Sequence, residues 1–449
     1  MNDLRNDKVG KLLLNLSTPA IIAQIVNVLY NIVDRIFIGR MDQGELAMAG
    51  IGVTFPIILL IMAFSAMFGM GGSPLCAIQM GAGNTRKAEE IMTGSFTLLV
   101  FTGALLTAVF LIFNEPLLWM FGASDATIGY ALDYLNIYVI GTIFVQIAFG
   151  MNPFITTQGY AKIGMTTVVI GAIVNVILDP ILIFGLDMGV KGAATATIIA
   201  QLVSAIWVIR FLTGKNSKLN LRKAFLLPTK EIAGKVSLLG ISPFIMQSTE
   251  SLVLISLNTQ LARFGGDLAV GAMAIITSIL QIINLPLRGL AQGAQPIVSF
   301  NYGAAQYNRV RSAINQSLRY GLIYNIAFVG LLMVFPALFV RIFSNHTELI
   351  SITSRFIRIY FIGMSIFGAQ IICQQMFVAL GQAKVSIFIA ILRKIILLVP
   401  LIYILPLFFE DKLTGVLVAE PVSDLLSVAV TLILFFRFYR LKLDHNKSI

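Results

Sequence analysis

Gly44-Glu-Leu-Ala-Met-Ala-Gly-Ile51 returns about 222 residues later as Gly266-Asp-Leu-Ala-Val-Gly-Ala-Met273. The echoes continue on both sides of it. Met80-Gly-Ala-Gly83 is matched by Tyr302-Gly-Ala-Ala305, and Ile137-Tyr-Val-Ile-Gly141 by Ile359-Tyr-Phe-Ile-Gly363. Gly159-Tyr-Ala-Lys162 is matched by Gly381-Gln-Ala-Lys384. A solenoid repeats every ~20–50 residues, so a period this long means a duplicated domain. In a membrane protein, two like halves place the functional site in the gap between them.

The solvent of the fold is lipid. Hydrophobic residues make up 57% of the chain and charged residues 12%, with a mean hydropathy of +0.89. Crossing ~30 Å of hydrocarbon takes ~20 apolar residues. Twelve stretches qualify, at 12–38, 47–71, 92–113, 131–154, 164–185 and 191–213, then 236–262, 268–295, 313–343, 353–379, 385–408 and 414–437. The predicted fold is therefore an all-α polytopic membrane protein of two pseudo-symmetric six-helix bundles. The divisions are an amino-terminal lobe at 1–213, a connector at 214–235, and a carboxyl-terminal lobe at 236–449 ending in a short basic tail. Six spans per half set both halves the same way up.

The formal charge of +11 is a topology signal. Lys and Arg gather at the amino terminus (Arg5, Lys8, Lys11), in the connector (Lys215, Lys218, Arg222, Lys223, Lys230, Lys235) and in the tail (Arg437, Arg440, Lys442, Lys447). Arg86, Lys87, Lys162, Arg309, Arg311 and Lys384 fall in loops on that same side. The positive-inside rule puts both termini and the connector in the cytoplasm. Bases scattered over many short loops do not make a nucleic-acid surface.

Several function classes drop out. No G-x-x-x-x-G-K-[ST] loop is present, so the chain does not hydrolyse ATP for transport. The two histidines, His346 and His445, lie outside the spans, which leaves no hydrolase constellation and no expected enzyme activity. Cys76 and Cys373 fall at membrane depth in different halves, without disulfide or metal spacing. No cofactor is expected.

What the spans hold instead is polar residues, which are costly in hydrocarbon. An acid at a span's centre costs ~2.5–3.5 kcal/mol, so it faces an interior or a wet cavity. Gln24, Asn27, Asn31 and Asp34 form one helical stripe on the first span, with Tyr30 beside it. Asn175 and Asp179 share a face of the fifth, Asn152 and Thr156 a face of the fourth, and Thr197, Gln201 and Ser204 lie on the sixth. A hydrogen-bonded packing seam is the bland alternative. The repeat weighs against it, because Asp34 falls opposite Asn258 and Asp179 opposite Val399, so neither acid is required by the architecture. Pro19/Pro243, Pro180/Pro400 and Gly159/Gly381 do recur in both halves, as structural punctuation should; the prolines read as kinks. Burial and a neighbouring carboxylate are the conditions under which an acid takes up and releases a proton near neutrality. Oxygens of Tyr30, Asn152, Asn175 and Thr197 would equally suit Na⁺, so the residues leave H⁺ and Na⁺ open; no other metal is expected.

The second half carries Glu250 and Asn258 on the seventh span, and Arg288 and Gln292 on the eighth. Arg393 and Lys394 follow on the eleventh, and Glu420 and Asp424 on the twelfth. Here a structural ion-pair network is the expected role, with substrate contact second.

The chain resembles a multidrug and toxic compound extrusion (MATE) transporter of the bacterial DinF-like type. The resemblance rests on Ser17-Thr-Pro-Ala20, Val33-Asp-Arg-Ile-Phe-Ile-Gly39, Gln79-Met-Gly-Ala-Gly83, Asn175-Val-Ile-Leu-Asp-Pro-Ile-Leu-Ile-Phe-Gly185 and Gly189-Val-Lys-Gly-Ala-Ala194, and covers roughly residues 10–440. It implies a V-shaped cleft between two bundles in a bacterial inner membrane, and export of cationic organic amphiphiles by alternating access. The driving exchange would be inward H⁺ or Na⁺. It implies a coupling site at Asp34 and Asp179, with Tyr30, Tyr134, Asn152, Asn175 and Thr197 around them, and a hinge at Pro19. Asn27, Asn31, Gln201, Glu250, Asn258, Arg288 and Gln292 are the expected substrate-cleft residues. The acids of the NorM-like branch are not matched, since the tenth span offers Gln374 and Gln375 but no acid. The expected partners are small organic cations and the bilayer, with the chain a monomer. The rival class is a flippase for polyprenyl-linked sugars or other lipids, which would want a strongly basic cavity. A major-facilitator transporter or a channel fits less well.

Overall fold

The computed structural model describes residues 2–444; His445 and Lys447 of the basic tail lie outside the described residues. Long helices follow one another: Val9–Gly39, Gly44–Gly81, Thr85–Met120, Ala161–Pro180 with a π-helical extension Ile181–Gly185, and Gly189–Thr213. Tyr307–Val334, Ala383–Ile391 running on to Leu407, and Lys412–Phe438 belong to the second half. Every backbone polar group in lipid must be satisfied within its own segment, and a helix does this. Side chains supply the missing acceptors where spans begin in water. Asn84 accepts from the Lys87 amide (3.2 Å), Thr229 from Ile232 (3.3 Å) and Asp411 from Leu413 (3.2 Å). Exposed Leu14, Ile22, Phe101, Ile112, Ile323 and Ile433 face the hydrocarbon.

Three helix breaks fall at repeat glycines, two inside spans and one between spans. The fourth span is two helices, Ile128–Ile140 and Thr142–Thr157, bent by 58°; the tenth is Thr347–Tyr360 and Met364–Ala379, bent by 55°. The bends fall at Gly141 and Gly363, the glycines that close the Ile-Tyr-x-Ile-Gly pair. A side chain at Gly141 would overlap Ile198 of the sixth span, and one at Gly363 would overlap Pro421 of the twelfth. The third break is in the 74-residue helix Lys230–Gly303. At 1.5 Å per residue it would stretch about 110 Å, far more than one crossing. It breaks at Gly266, where φ is 61° and ψ is −164°, a conformation open to glycine. Residues 230–265 and 267–303 are the seventh and eighth spans, and the described residues make twelve.

The spans expected at 131–154 and 353–379 are present, each with a bend inside it. Hydropathy averages over a helix and does not register a bend. Pro19 and Pro243 likewise sit inside continuous helix. The prolines that mark irregular turns are Pro180, which leads into the π-turn 181–185, and Pro400, which follows the π-turn 392–398.

The two bundles meet along one half of their length. A side chain on Gly81 would overlap the Phe300 carbonyl, and one on its repeat twin Gly303 would overlap the Ile78 carbonyl. Gly240 lies against the Met67 carbonyl in the same way. Ser17 donates to the Leu290 carbonyl (3.4 Å), Gln24 to Gln292 (3.2 Å) and Gln295 to Ser73 (3.3 Å), while the Phe64 and Phe244 rings stand 4.9 Å apart. Past Gln24, Phe64 and Phe244, no hydrogen bond or ring contact joins the bundles among the described residues. The halves separate there, and a V-shaped cleft opens at the end opposite the basic loops.

Residues between the sixth and seventh spans are clipped to the first bundle. Glu89, 5% exposed, accepts Nε (2.8 Å) and Nη2 (3.2 Å) of Arg222 and the Asn220 amide (3.1 Å). The buried Gln158 Oε1 accepts from Ser217, Lys218 and Leu219.

Overpacking a tight core costs ~1–3 kcal/mol and more against backbone. Gly81→Leu and Gly303→Leu should each lower the melting temperature of the purified protein by several degrees. Gly330→Leu, with open space around it, should leave it unchanged in the same thermal unfolding measurement.

Candidate functional site

Within the first bundle, the first, fourth, fifth and sixth spans surround a pocket of about 430 Å³ that includes its open mouth. Asn27, Tyr30, Asn152, Asn175, Thr197 and Gln201 line it. Small residues make the space: Gly171, Ala172 and Ala200 occupy wall positions where larger side chains would fill it. Phe149 and Val168 complete an apolar side.

At one end of this pocket stands the acid pair. Asn175 Nδ2 donates to Asp179 Oδ1 at 3.2 Å and to Thr197 Oγ1 at 3.4 Å, tying the fifth span to the sixth. Asp179 is fully buried and Asp34 partly so. The two carboxyls act on one another electrostatically. Tyr134, 5% exposed, stacks on Tyr138 with ring centroids 6.0 Å apart and approaches Thr197 and Asp34. The neighbouring Arg35 turns away, its guanidinium 5.6 Å over the Phe55 ring. Among the described residues no ion pair engages either acid. Asp34 Oδ1, Asp179 Oδ2, Asn175 Oδ1, Asn152 Oδ1 and Asn27 Oδ1 are buried oxygens without a hydrogen-bond partner. A cluster of unmatched acceptors around two adjacent carboxyls is what a proton or a small hard cation requires.

The structure gathers Asp34, Asp179, Tyr30, Tyr134, Asn152, Asn175 and Thr197, together with Asn27 and Gln201. Asn31 does not join them; it is exposed and turns back to donate to the Asn27 carbonyl (2.6 Å). Gln292 is engaged with Gln24 across the seam between the bundles. Asn258 is half-buried on the seventh span, away from the pocket. Glu250 and Arg288 belong to a charged cluster in the second bundle. Lys394 Nζ lies 2.8 Å from Glu250 and donates to the Met246 carbonyl (2.9 Å), and Arg288 approaches Glu250 at 3.9 Å. Arg393 spans Glu420 and Asp424, at 2.9 Å from each. Sequence reading missed the small wall residues and Thr167; the spacing of Gly171, Ala172 and Ala200 opposite the polar stripes was the available signal.

Twelve spans in two like bundles, a cleft between them and a polar pocket in one define a membrane transporter. The MatE family profile matches residues 19–181 and 243–404, one copy in each bundle. The chain belongs to the MatE family, whose members are transporters and not enzymes. Among similar proteins is multidrug export protein MepA of Staphylococcus haemolyticus, 26% identical over 94% of this chain and 93% of its own. MepA of Staphylococcus aureus is 25% identical over 98% and 97%. Solved structures share the fold. A MATE in the bent conformation superposes with a TM-score of 0.92 at 23% identity, covering 99% of this chain and 98% of its own. An outward-facing multidrug resistance MATE family transporter gives 0.90 at 23%, with the same coverage.

Cysteines placed at Gln201 or Asn27 should react with a small water-soluble maleimide applied to the intact protein. The native Cys76 and Cys373, both fully buried, should not. A mass shift in Gln201→Cys and none in the parent protein is the expected readout.

Proposed function

We propose that this chain is a secondary multidrug exporter of a bacterial inner membrane. It would expel cationic, amphiphilic organic molecules in exchange for H⁺ or Na⁺, with Asp34 and Asp179 as the coupling pair. The observation that carries this reading is the pair itself: two carboxyls that act on one another, no ion pair to either among the described residues, and unmatched neutral oxygens around them. Two carboxylates this close in a poorly hydrated site cannot both stay ionised without a proton or cation between them. That positive species and a positively charged drug therefore compete for the same negative charge.

Competition alone does not give transport. The two ligands must favour different orientations of the lobes, because a ligand with equal affinity for both shifts nothing. The cleft opens at the end away from the basic loops, which the positive-inside rule assigns to the outside. In this orientation Asp34/Asp179 would exchange drug for H⁺ or Na⁺, and the lobes would then rock about the glycine seam. Asn175 and Thr197 orient Asp179, and Tyr134 packs over the pair. Pro19, lacking an amide proton, is the point at which the first span would bend when Asp34 is neutralised. Residues 1–213 and 236–449 would act as the rocking units of a monomer. The 214–235 connector would stay docked on the first through Glu89 and Gln158. The names of the MepA relatives support the drug assignment.

The test is efflux of a fluorescent cationic dye from proteoliposomes under an imposed pH gradient, then under a Na⁺ gradient. Asp34→Asn and Asp179→Asn should each lower gradient-driven efflux at least tenfold while the protein remains in the membrane. Asn258→Ala should stay within about twofold of the parent. Efflux that survives both acid substitutions would overturn the assignment.

A further inference from the structure

The two bundles can be registered on one another at atomic contacts. Gly192 packs against the Leu182 carbonyl group, and Gly415 packs against Leu405 and Pro406 in the same manner. Gly141 meets Ile198 where Gly363 meets Pro421. This register sets the sixth span on the twelfth, with Thr197 opposite Glu420 and Gln201 opposite Asp424. The two polar residues that line the open pocket of the first bundle are therefore replaced by two acids in the second.

The space those acids face is filled. Arg393 enters it from the eleventh span, its side chain 15% exposed. Nε donates to Asp424 Oδ1 and Nη2 to Glu420 Oε1, both at 2.9 Å. The guanidinium lies 4.1 Å over the Phe367 ring of the tenth span, a cation–π contact that strengthens as water is excluded. The acids are 7% and 0% exposed, and their second oxygens, Glu420 Oε2 and Asp424 Oδ2, have no hydrogen-bond partner. Lys394 and Arg288 make their direct ion pairs with Glu250, and Lys394 and Glu250 also act on the set through space. Tyr360, 3% exposed, is a further titratable group against the pair.

We propose that Glu420, Asp424 and the Phe367 face form a site for a planar organic cation of the guanidinium class, and that the chain occupies it from within through Arg393. The second bundle would carry the twin of the first bundle's pocket with a tethered cation in place of an exchangeable one. This explains how two acids are retained where the first bundle has a threonine and a glutamine. They are matched by a charge that does not leave. One consequence rests on the reading of Asp34/Asp179 as the coupling pair: ion exchange runs through the first bundle alone.

Breaking a buried ion set by removing one member leaves uncompensated charge, whereas replacing the whole set with neutral groups is often tolerated. Full-length Arg393→Ala in detergent should therefore melt below the parent. Millimolar guanidinium chloride should raise its melting temperature saturably, while equal NaCl or urea should not, and the parent should not respond. Equal response of parent and variant to guanidinium, or none in the variant, would overturn the proposal. A neutral triple variant, Arg393→Met with Glu420→Gln and Asp424→Asn, covers the case in which the single variant does not accumulate. It should reach the membrane, ignore guanidinium and keep ion-driven dye efflux within about threefold of the parent. Loss of ion-driven efflux in membrane-inserted triple variant would overturn the tethered-cation assignment. Failure of the Asp34/Asp179 reading would instead show as efflux that survives their own substitution, and it leaves the guanidinium titration unaffected.

Discussion

A carboxylate taken out of water must be matched by positive charge, and the two lobes meet that demand in opposite ways. In the second lobe Arg393 spans Glu420 and Asp424, and Lys394 sits on Glu250. In the first, Asp34 and Asp179 make no ion pair among the described residues; Asn175 donates to Asp179, and one oxygen of each acid has no hydrogen-bond partner. One lobe pairs its buried acids with fixed cations; the other leaves its acids unpaired, which is the ground for the proposed exchange site in the first lobe.

The scaffold itself is held at the seam. Gly81 and Gly303 let the second and eighth spans approach until backbone meets backbone, and Gly240 does the same for the seventh. Contacts this close leave no room for sliding but tolerate rotation about the crossing point. Inter-lobe bonds such as Ser17 to Leu290, Gln24 to Gln292 and Gln295 to Ser73 lie on the same half of the molecule. The geometry therefore concentrates the lobe contacts at one end and leaves the polar pocket beside the open one.

Much of this was legible in the sequence because duplication and hydropathy are redundant signals. The Gly44/Gly266 echo, the twelve apolar runs and the pairing of Asn175 with Asp179 required only spacing to read. The helix breaks at Gly141 and Gly363 were visible as repeated glycines but not as bends, since a bend arises from contact with Ile198 or Pro421, distant in sequence. Periodicity put Asn31 on the stripe of Asn27 and Asp34, and its side chain donates to the Asn27 carbonyl on that face, a bond that spacing does not reveal. The partnership of Lys394 with Glu250 was not readable, because a π-turn at 392–398 resets the facing of that span. Similarly, the pocket walls Gly171, Ala172 and Ala200 matter by what they lack, which periodicity does not weigh.

The most direct test follows the small cation itself. Purified protein in weakly buffered detergent solution should release protons when a cationic drug is added at neutral pH, or release Na⁺ if Na⁺ is the coupling ion. With Asp34 and Asp179 both changed to asparagine, that release should vanish. Drug that binds the unmodified protein with normal affinity and displaces neither ion would contradict the account.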